Sequence, residues 1–164
     1  MSRQDIDFKT GDGVTLRGWL YIPSVTGKNA EEKLPCLVMV HGFTALKEMA
    51  LDKFAERFVS KLQIAVLVYD NRGFGASDVA TGQPRQEIIP SIQISDYQDA
   101  ITYAQSRPEI DAEKIGIWGS SYSGGHALYI AAVDRRVKAC ISQVGRLAYY
   151  PRSRDTYIIS RCLV

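Results

Sequence analysis

A run of seven residues, all but one of them small, carries the chemistry most legible in this sequence: Gly119-Ser120-Ser121-Tyr122-Ser123-Gly124-Gly125. It follows the apolar stretch Ile115-Gly116-Ile117-Trp118 and precedes a segment of helical character. Strand, tight turn, helix is the context in which a Gly-x-Ser pattern becomes a nucleophile elbow. Such a turn strains the serine backbone and lifts its hydroxyl out at the strand end. Small neighbours are needed because the strand and helix backbones nearly touch there. Gly119 two positions before and Ser123 two positions after mark Ser121 as the nucleophile. Ser123 fits a second frame, flanked by Ser121 and Gly125, but it would lie further from the strand end. The corner position favours Ser121. The competing reading is a turn whose small residues merely let strand and helix pack.

Two other segments could take part. His41-Gly42-Phe43 directly follows an apolar run at residues 34–40. A strand ending in a His-Gly turn can offer backbone N–H groups to an oxyanion. The donors would be the N–H groups of Phe43 and Tyr122, with His41 bonding backbone rather than taking protons. An ordinary strand-end turn is the plain alternative. Asp70-Asn71-Arg72-Gly73-Phe74-Gly75-Ala76-Ser77 looks like a dinucleotide fingerprint only in outline. Its third glycine is missing and no helix opens after Gly75, which argues against nucleotide binding. No Gly-x-x-x-x-Gly-Lys loop occurs. The cysteines lack metal-type spacing, so neither metal nor cofactor is expected.

Histidine is scarce. The chain has two, His41 and His126. His126 lies five residues after Ser121 within the expected helix, so about 140° around its axis and about 7.5 Å along it. That helix runs away from the serine, which makes His126 a core or helix-face residue rather than a base. A serine hydroxyl without an adjacent base is a weak nucleophile. Asp134 and Asp155 also follow Ser121, but a carboxylate does not replace an absent base.

Alternating elements must position these residues. Residues 6–10 and 16–22 flank the turn cluster Gly11-Asp12-Gly13 and read as a hairpin. Residues 23–33 form a polar loop. Residues 34–40 are a strand buried on both faces. Apolar positions Leu51, Phe54, Ala55, Phe58, Val59 and Leu62 place an amphipathic helix over 47–61. Residues 64–69 are a second buried strand, and 71–90 a long loop. The pattern Ser95-Asp96-Tyr97-Gln98 reads as a capping box opening a helix that Pro108 ends near Arg107. A strand at 115–118, a helix at 123–133 and a strand at 137–144 follow. The fold class is therefore α/β: a mostly parallel, doubly wound sheet with a leading antiparallel hairpin. Residues 1–144 make one domain region, and 145–164 form a tail with no firm pattern.

Composition limits the partners. A chain of 164 residues with 46% hydrophobic and 23% charged residues suits one globular domain with a sizeable core. A net charge of +2 is too small to imply nucleic acid. The start lacks the apolar core of a signal peptide, and no run approaches membrane-spanning length. Cys36, Cys140 and Cys162 read as reduced thiols of a cytoplasmic protein.

Together the motifs resemble the α/β-hydrolase superfamily. His41-Gly42, Asp70-x-Arg72-Gly73-x-Gly75-x-Ser77 and Gly119-x-Ser121-x-Ser123-Gly124-Gly125 stand in that family's order over residues 5–144. The nearer likeness is to dienelactone-hydrolase-like and peptidase-like members. Residues 118–128 look like a fungal branch of polyketide transferases and thiohydrolases. The resemblance implies that Ser121 attacks an acyl ester or thioester, with secondary metabolism as the setting, while Phe43 and Tyr122 N–H groups hold the oxyanion. Water would complete hydrolysis, and an alcohol or amine acceptor would complete transfer.

The family's acid and histidine follow the nucleophile, and here no such histidine can be placed. The expectation is an incomplete hydrolase fold, truncated at its C-terminal side and impaired as it stands. The alternatives are an inactive, hydrolase-like binding protein or a truncated product. An uncovered sheet edge would favour self-association.

Overall fold

Residues 1–24 and 33–143 are described by the computed structural model of the protein. The chain runs β1 (Ser2–Lys9), β2 (Thr15–Ile22), β3 (Leu34–Val40), α1 (Leu51–Leu62), β4 (Ala65–Tyr69), α2 (Pro90–Ser106), β5 (Ile110–Ser120), α3 (Tyr122–Val133) and β6 (Val137–Gln143). The expected tail at 145–164, with Cys162, lies outside the described residues, as does most of the loop expected at 23–33.

β1 and β2 form the expected antiparallel hairpin, with Ser2 opposite Ile22 and Lys9 opposite Thr15. Gly13 adopts φ 84° in the turn between them, a left-handed conformation that glycine accepts without steric cost. The six strands lie in the order β1-β2-β4-β3-β5-β6. β2 pairs antiparallel with β4, and the β4-β3-β5-β6 portion is parallel. This is the mixed α/β sheet with a leading hairpin that the alternation of patterns anticipates. β3 and β4 carry nearly unbroken apolar runs because both of their faces are covered.

Helices pack on both faces. Leu51, Ala55 and Val59 of α1 meet Met39, Val66, Val68 and Trp118 on one side. Tyr97, Ile101 and Ala104 of α2, with Ala127 and Ile130 of α3, meet Val38, Leu67 and Ile117 on the other. Tyr97 goes further than packing. Its hydroxyl donates to the Val38 carbonyl at 2.9 Å and accepts the Trp118 N–H at 3.1 Å. A single side chain thus ties α2 to β3 and β5, the two strands that lead into the His-Gly turn and the serine turn.

Several boundaries differ from expectation. β1 begins at Ser2, not at 6, and ends at Lys9. α1 begins at Leu51, not at 47, because Lys47 is buried and turned toward Asp70, and Ala50 takes φ 73°. α2 begins at Pro90, which supplies a helical φ at the first turn, where its missing N–H costs nothing. The capping box at 95–98 therefore does not open this helix; Ser95 lies in its interior. β5 extends from Ile110 to Ser120, beyond the apolar 115–118, and its added residues include exposed Glu113 and Lys114. Among the described residues, no helix is long and apolar enough to cross a membrane.

Candidate active site

β5 ends at Ser120, α3 starts at Tyr122, and Ser121 is the single residue between them. Its backbone sits at φ 50° and ψ −113°, a conformation costing about 1–3 kcal/mol for a non-glycine residue. Two backbone bonds hold the strained corner. The Ser121 N–H donates to the Gln143 carbonyl at 2.8 Å, and the Gly124 N–H donates to the Ser121 carbonyl at 3.0 Å. The corner also explains Gly119. A Cβ there would stand 2.0 Å from the Ser123 carbonyl oxygen, so the strand and helix backbones leave no room for a side chain.

The three serines of the turn have different environments. Ser121 is exposed and Ser120 half-buried. Ser123 is fully buried, and its hydroxyl donates to the His41 carbonyl. That bond engages Ser123 with backbone and joins the start of α3 to the end of β3.

The His-Gly turn lies against the elbow. A Cβ on Gly42 would stand 3.0 Å from the Ser120 carbonyl oxygen and 3.1 Å from the Ser121 Cβ. Among the described residues, neither the Phe43 N–H nor the Tyr122 N–H has a hydrogen-bond acceptor. Their side chains meet as well, with ring centres 5.7 Å apart and nearly perpendicular. Phe43 remains 61% exposed. Two unengaged donors beside an exposed, strained serine can accommodate a tetrahedral oxyanion.

His41 is occupied by backbone. The Asn71 N–H donates to its Nε2 at 3.0 Å, which leaves Nδ1 carrying the proton toward the Gly42 carbonyl at 2.9 Å. Burial lowers its pKa, opposed in part by the Gly42 carbonyl and Asp70, so the ring is held neutral. His126 is buried within α3, its ring 4.7 Å from that of Tyr122. Burial lowers its pKa too, and among the described residues its ring makes no hydrogen bond.

A buried polar cluster behind the turn was not anticipated from the sequence. Asp70, at the end of β4, is fully buried. It accepts the Lys47 N–H at 2.8 Å, the Lys47 ammonium at 2.6 Å and the Ala76 N–H at 3.1 Å. Gly75 is required beside it, because a Cβ would come within 2.2 Å of the carboxylate. Burial alone would lower the Lys47 pKa, but Asp70 and Glu48 outweigh it and hold the ammonium above its ordinary value.

Arg72, two residues on, bridges Asp96 of α2 and Asp12 of the hairpin turn. Its guanidinium holds the Asp12 carboxyl well below the usual range. The 70–77 segment is thus a bracket between β4, α2 and the hairpin. The signal for it in the sequence is the charge pattern of Asp70 and Arg72, though their partners Lys47, Asp12 and Asp96 are distant in the chain.

Among the described residues, no group of three or more His, Cys, Asp or Glu could hold a metal ion. Cys36 and Cys140 are free and buried, and burial pushes their thiols up to about 12 and about 11. Neither is a poised nucleophile.

Similarity to known proteins runs through this site. The family model of the alpha/beta hydrolase fold matches residues 35–160. The chain is 45% identical over 138 residues to the thiohydrolase aneE of Aspergillus aculeatus, covering 84% of this chain and 40% of that protein. It is 41% identical over 142 residues to the polyketide transferase af380 of Aspergillus fumigatus, covering 87% of this chain and 45% of the other. The crystal structure of the alpha/beta hydrolase GrgF from Penicillium sp. sh18 superposes with a TM-score of 0.79 at 36% identity, over 88% of this chain and 46% of that one. The chain thus spans less than half the length of these relatives.

Proposed function

The chain belongs to the α/β hydrolase fold family, and from that premise we propose that Ser121 is the nucleophile of an acyl hydrolase or acyltransferase. The observation that carries this reading is the corner itself. Ser121 is exposed at a left-handed φ of 50°, Tyr122 with its unengaged N–H follows it, and Gly42, next to Phe43 and its unengaged N–H, packs against Ser120 and Ser121. The Ser121 hydroxyl oxygen attacks the carbonyl carbon of a small-molecule ester or thioester. The carbonyl electron pair moves onto oxygen, where the two N–H groups receive it. Collapse expels the alcohol or thiol and leaves an acyl-enzyme. Water then releases the acid, or an alcohol or amine takes the acyl group. The thiohydrolase and polyketide transferase names of the relatives support this substrate class.

The base and its acid partner come from elsewhere in this reading. His41 has both ring nitrogens bonded to backbone, and His126 is packed on Tyr122. We therefore propose that this chain supplies the nucleophile and oxyanion donors, while further polypeptide supplies the rest. Alone, the chain retains the residual catalysis of binding and oxyanion stabilisation, about 10³–10⁴ over water. Self-association through the β6 side of the sheet belongs to the same reading, as does a reducing, cytoplasmic setting for the free thiols. A second reading, binding without turnover, is favoured by the backbone bonds that occupy His41 and by the burial of His126 against Tyr122.

Turnover of a p-nitrophenyl ester and an acyl thioester separates the two. The expected result is slow turnover by the chain, lost in Ser121→Ala, retained in His126→Ala and greatly raised in a C-terminally longer polypeptide. Robust turnover that vanishes in His126→Ala would make His126 the base. No turnover even in the longer polypeptide would favour the binding protein.

A further inference from the structure

Residues 42–46 form the loop that carries the Phe43 N–H. Phe43 and Thr44 at its crest are exposed, while His41 and Lys47 at its two ends are buried. Internally the loop has little to hold it: the Ala45 N–H reaches the Gly42 carbonyl at 3.3 Å, and Thr44 takes φ 53°. Its shape is therefore set by its anchors.

Consecutive residues after β4 grip the two ends. At the near end, the Asn71 N–H holds His41 Nε2 at 3.0 Å, and the Ser123 hydroxyl holds the His41 carbonyl. At the far end, the Asp70 carboxylate takes the Lys47 N–H on one oxygen and the Lys47 ammonium on the other. The ammonium also lies 4.7 Å from the centre of the Trp19 ring. A buried ion pair adds little net stability compared with apolar packing of the same volume. What it does supply is directional: backbone and side chain of one residue are fixed on one carboxylate.

We propose that Lys47 is a positioning residue: clamped on Asp70, it fixes the far end of the 42–46 loop and thereby aims the Phe43 N–H at the oxyanion. The inference rests on the proposed roles of Ser121 as nucleophile and Phe43 as oxyanion donor. Oxyanion donors act through geometry, and a misplacement of about 1 Å costs about 10²-fold in rate.

The test uses an alkyl fluorophosphonate on the full chain, with peptide mapping of the adduct. The serine oxygen displaces fluoride from phosphorus, and the phosphoryl oxygen takes the place of the oxyanion. The maximal inactivation rate then reports the oxyanion donors, while the half-saturating probe concentration reports binding. Lys47→Met should lower the maximal rate about 10- to 100-fold with the half-saturating concentration unchanged. Lys47→Met/Asp70→Asn, which removes the unpaired charge, keeps the test open if the single variant folds poorly.

In whichever variant is folded by circular dichroism, a rate that stays low supports positioning. A wild-type rate in a folded variant overturns it. Failure of the functional reading is distinguishable, because the wild-type adduct would then lie on a residue other than Ser121.

Discussion

The two histidines act on stability before they act on anything else. Burial lowers the pKa of both His41 and His126, so each takes up a proton less readily when folded than when unfolded. Between the depressed folded value and the ordinary value of about 6.5, the unfolded chain binds more protons, and stability rises with pH. The contribution is complete above about pH 6.5 and is lost as the pH falls below it. The urea midpoint should therefore fall between about pH 7.5 and 5.5, with a shallower fall in His126→Gln. A midpoint that is flat or rises on acidification in this range would show that the rings are not buried as described. The same residue scale shows what the sequence could reveal. Ser121 is legible because its neighbours must be small, a local demand written in local residues. Lys47 is not, because its partner Asp70 is 23 positions away and its burial follows from tertiary packing alone.

Elements were legible where pattern and packing agree. β3 and β4 read as buried strands because both faces are covered, and the hairpin because a turn cluster separates its strands. The end of α2 is legible but its start is not, because two start signals compete in its sequence. The Ser95 to Gln98 spacing fits a capping box, but Pro90 five residues earlier also fits a first helical position. Tertiary pairing favours the earlier start: Asp96 is needed inside the helix, where its carboxylate meets Arg72 at 2.8 Å and 2.6 Å. This pair joins the 70–77 bracket to α2. Burial already raises the Asp96 pKa, and Arg72 opposes it. Arg72→Met would leave that carboxylate buried and unpaired, and should cost about 3–5 kcal/mol in chemical unfolding. A loss under about 1 kcal/mol would mean that solvent, not Arg72, satisfies Asp96.

At the scale of the molecule, the described helices cover the sheet unevenly. Among the described residues, α2 and α3 share one face, whereas α1 alone packs on the other. Beside α1, an apolar groove of about 320 Å³ lies over β3, β5 and β6, lined by Leu37, Phe58, Leu62, Ile64, Ala139 and Ile141. Among the described residues, β6 pairs only with β5. An apolar face of this kind beside an unpaired edge favours association, and sedimentation should reveal species larger than one chain at micromolar concentration. A single monomeric boundary would contradict that expectation. The family was readable from three ordered motifs, while the source of the base was not, because His41 is bonded to backbone and His126 is buried against Tyr122. In the proposed chemistry the exposed corner serine, not its neighbours, takes the acyl group. Prolonged incubation of the chain with excess fluorophosphonate, followed by peptide mapping, tests it most directly. The expected result is an adduct on Ser121 that disappears in Ser121→Ala. An adduct on Ser120 or Ser123 with Ser121 unmodified would contradict it.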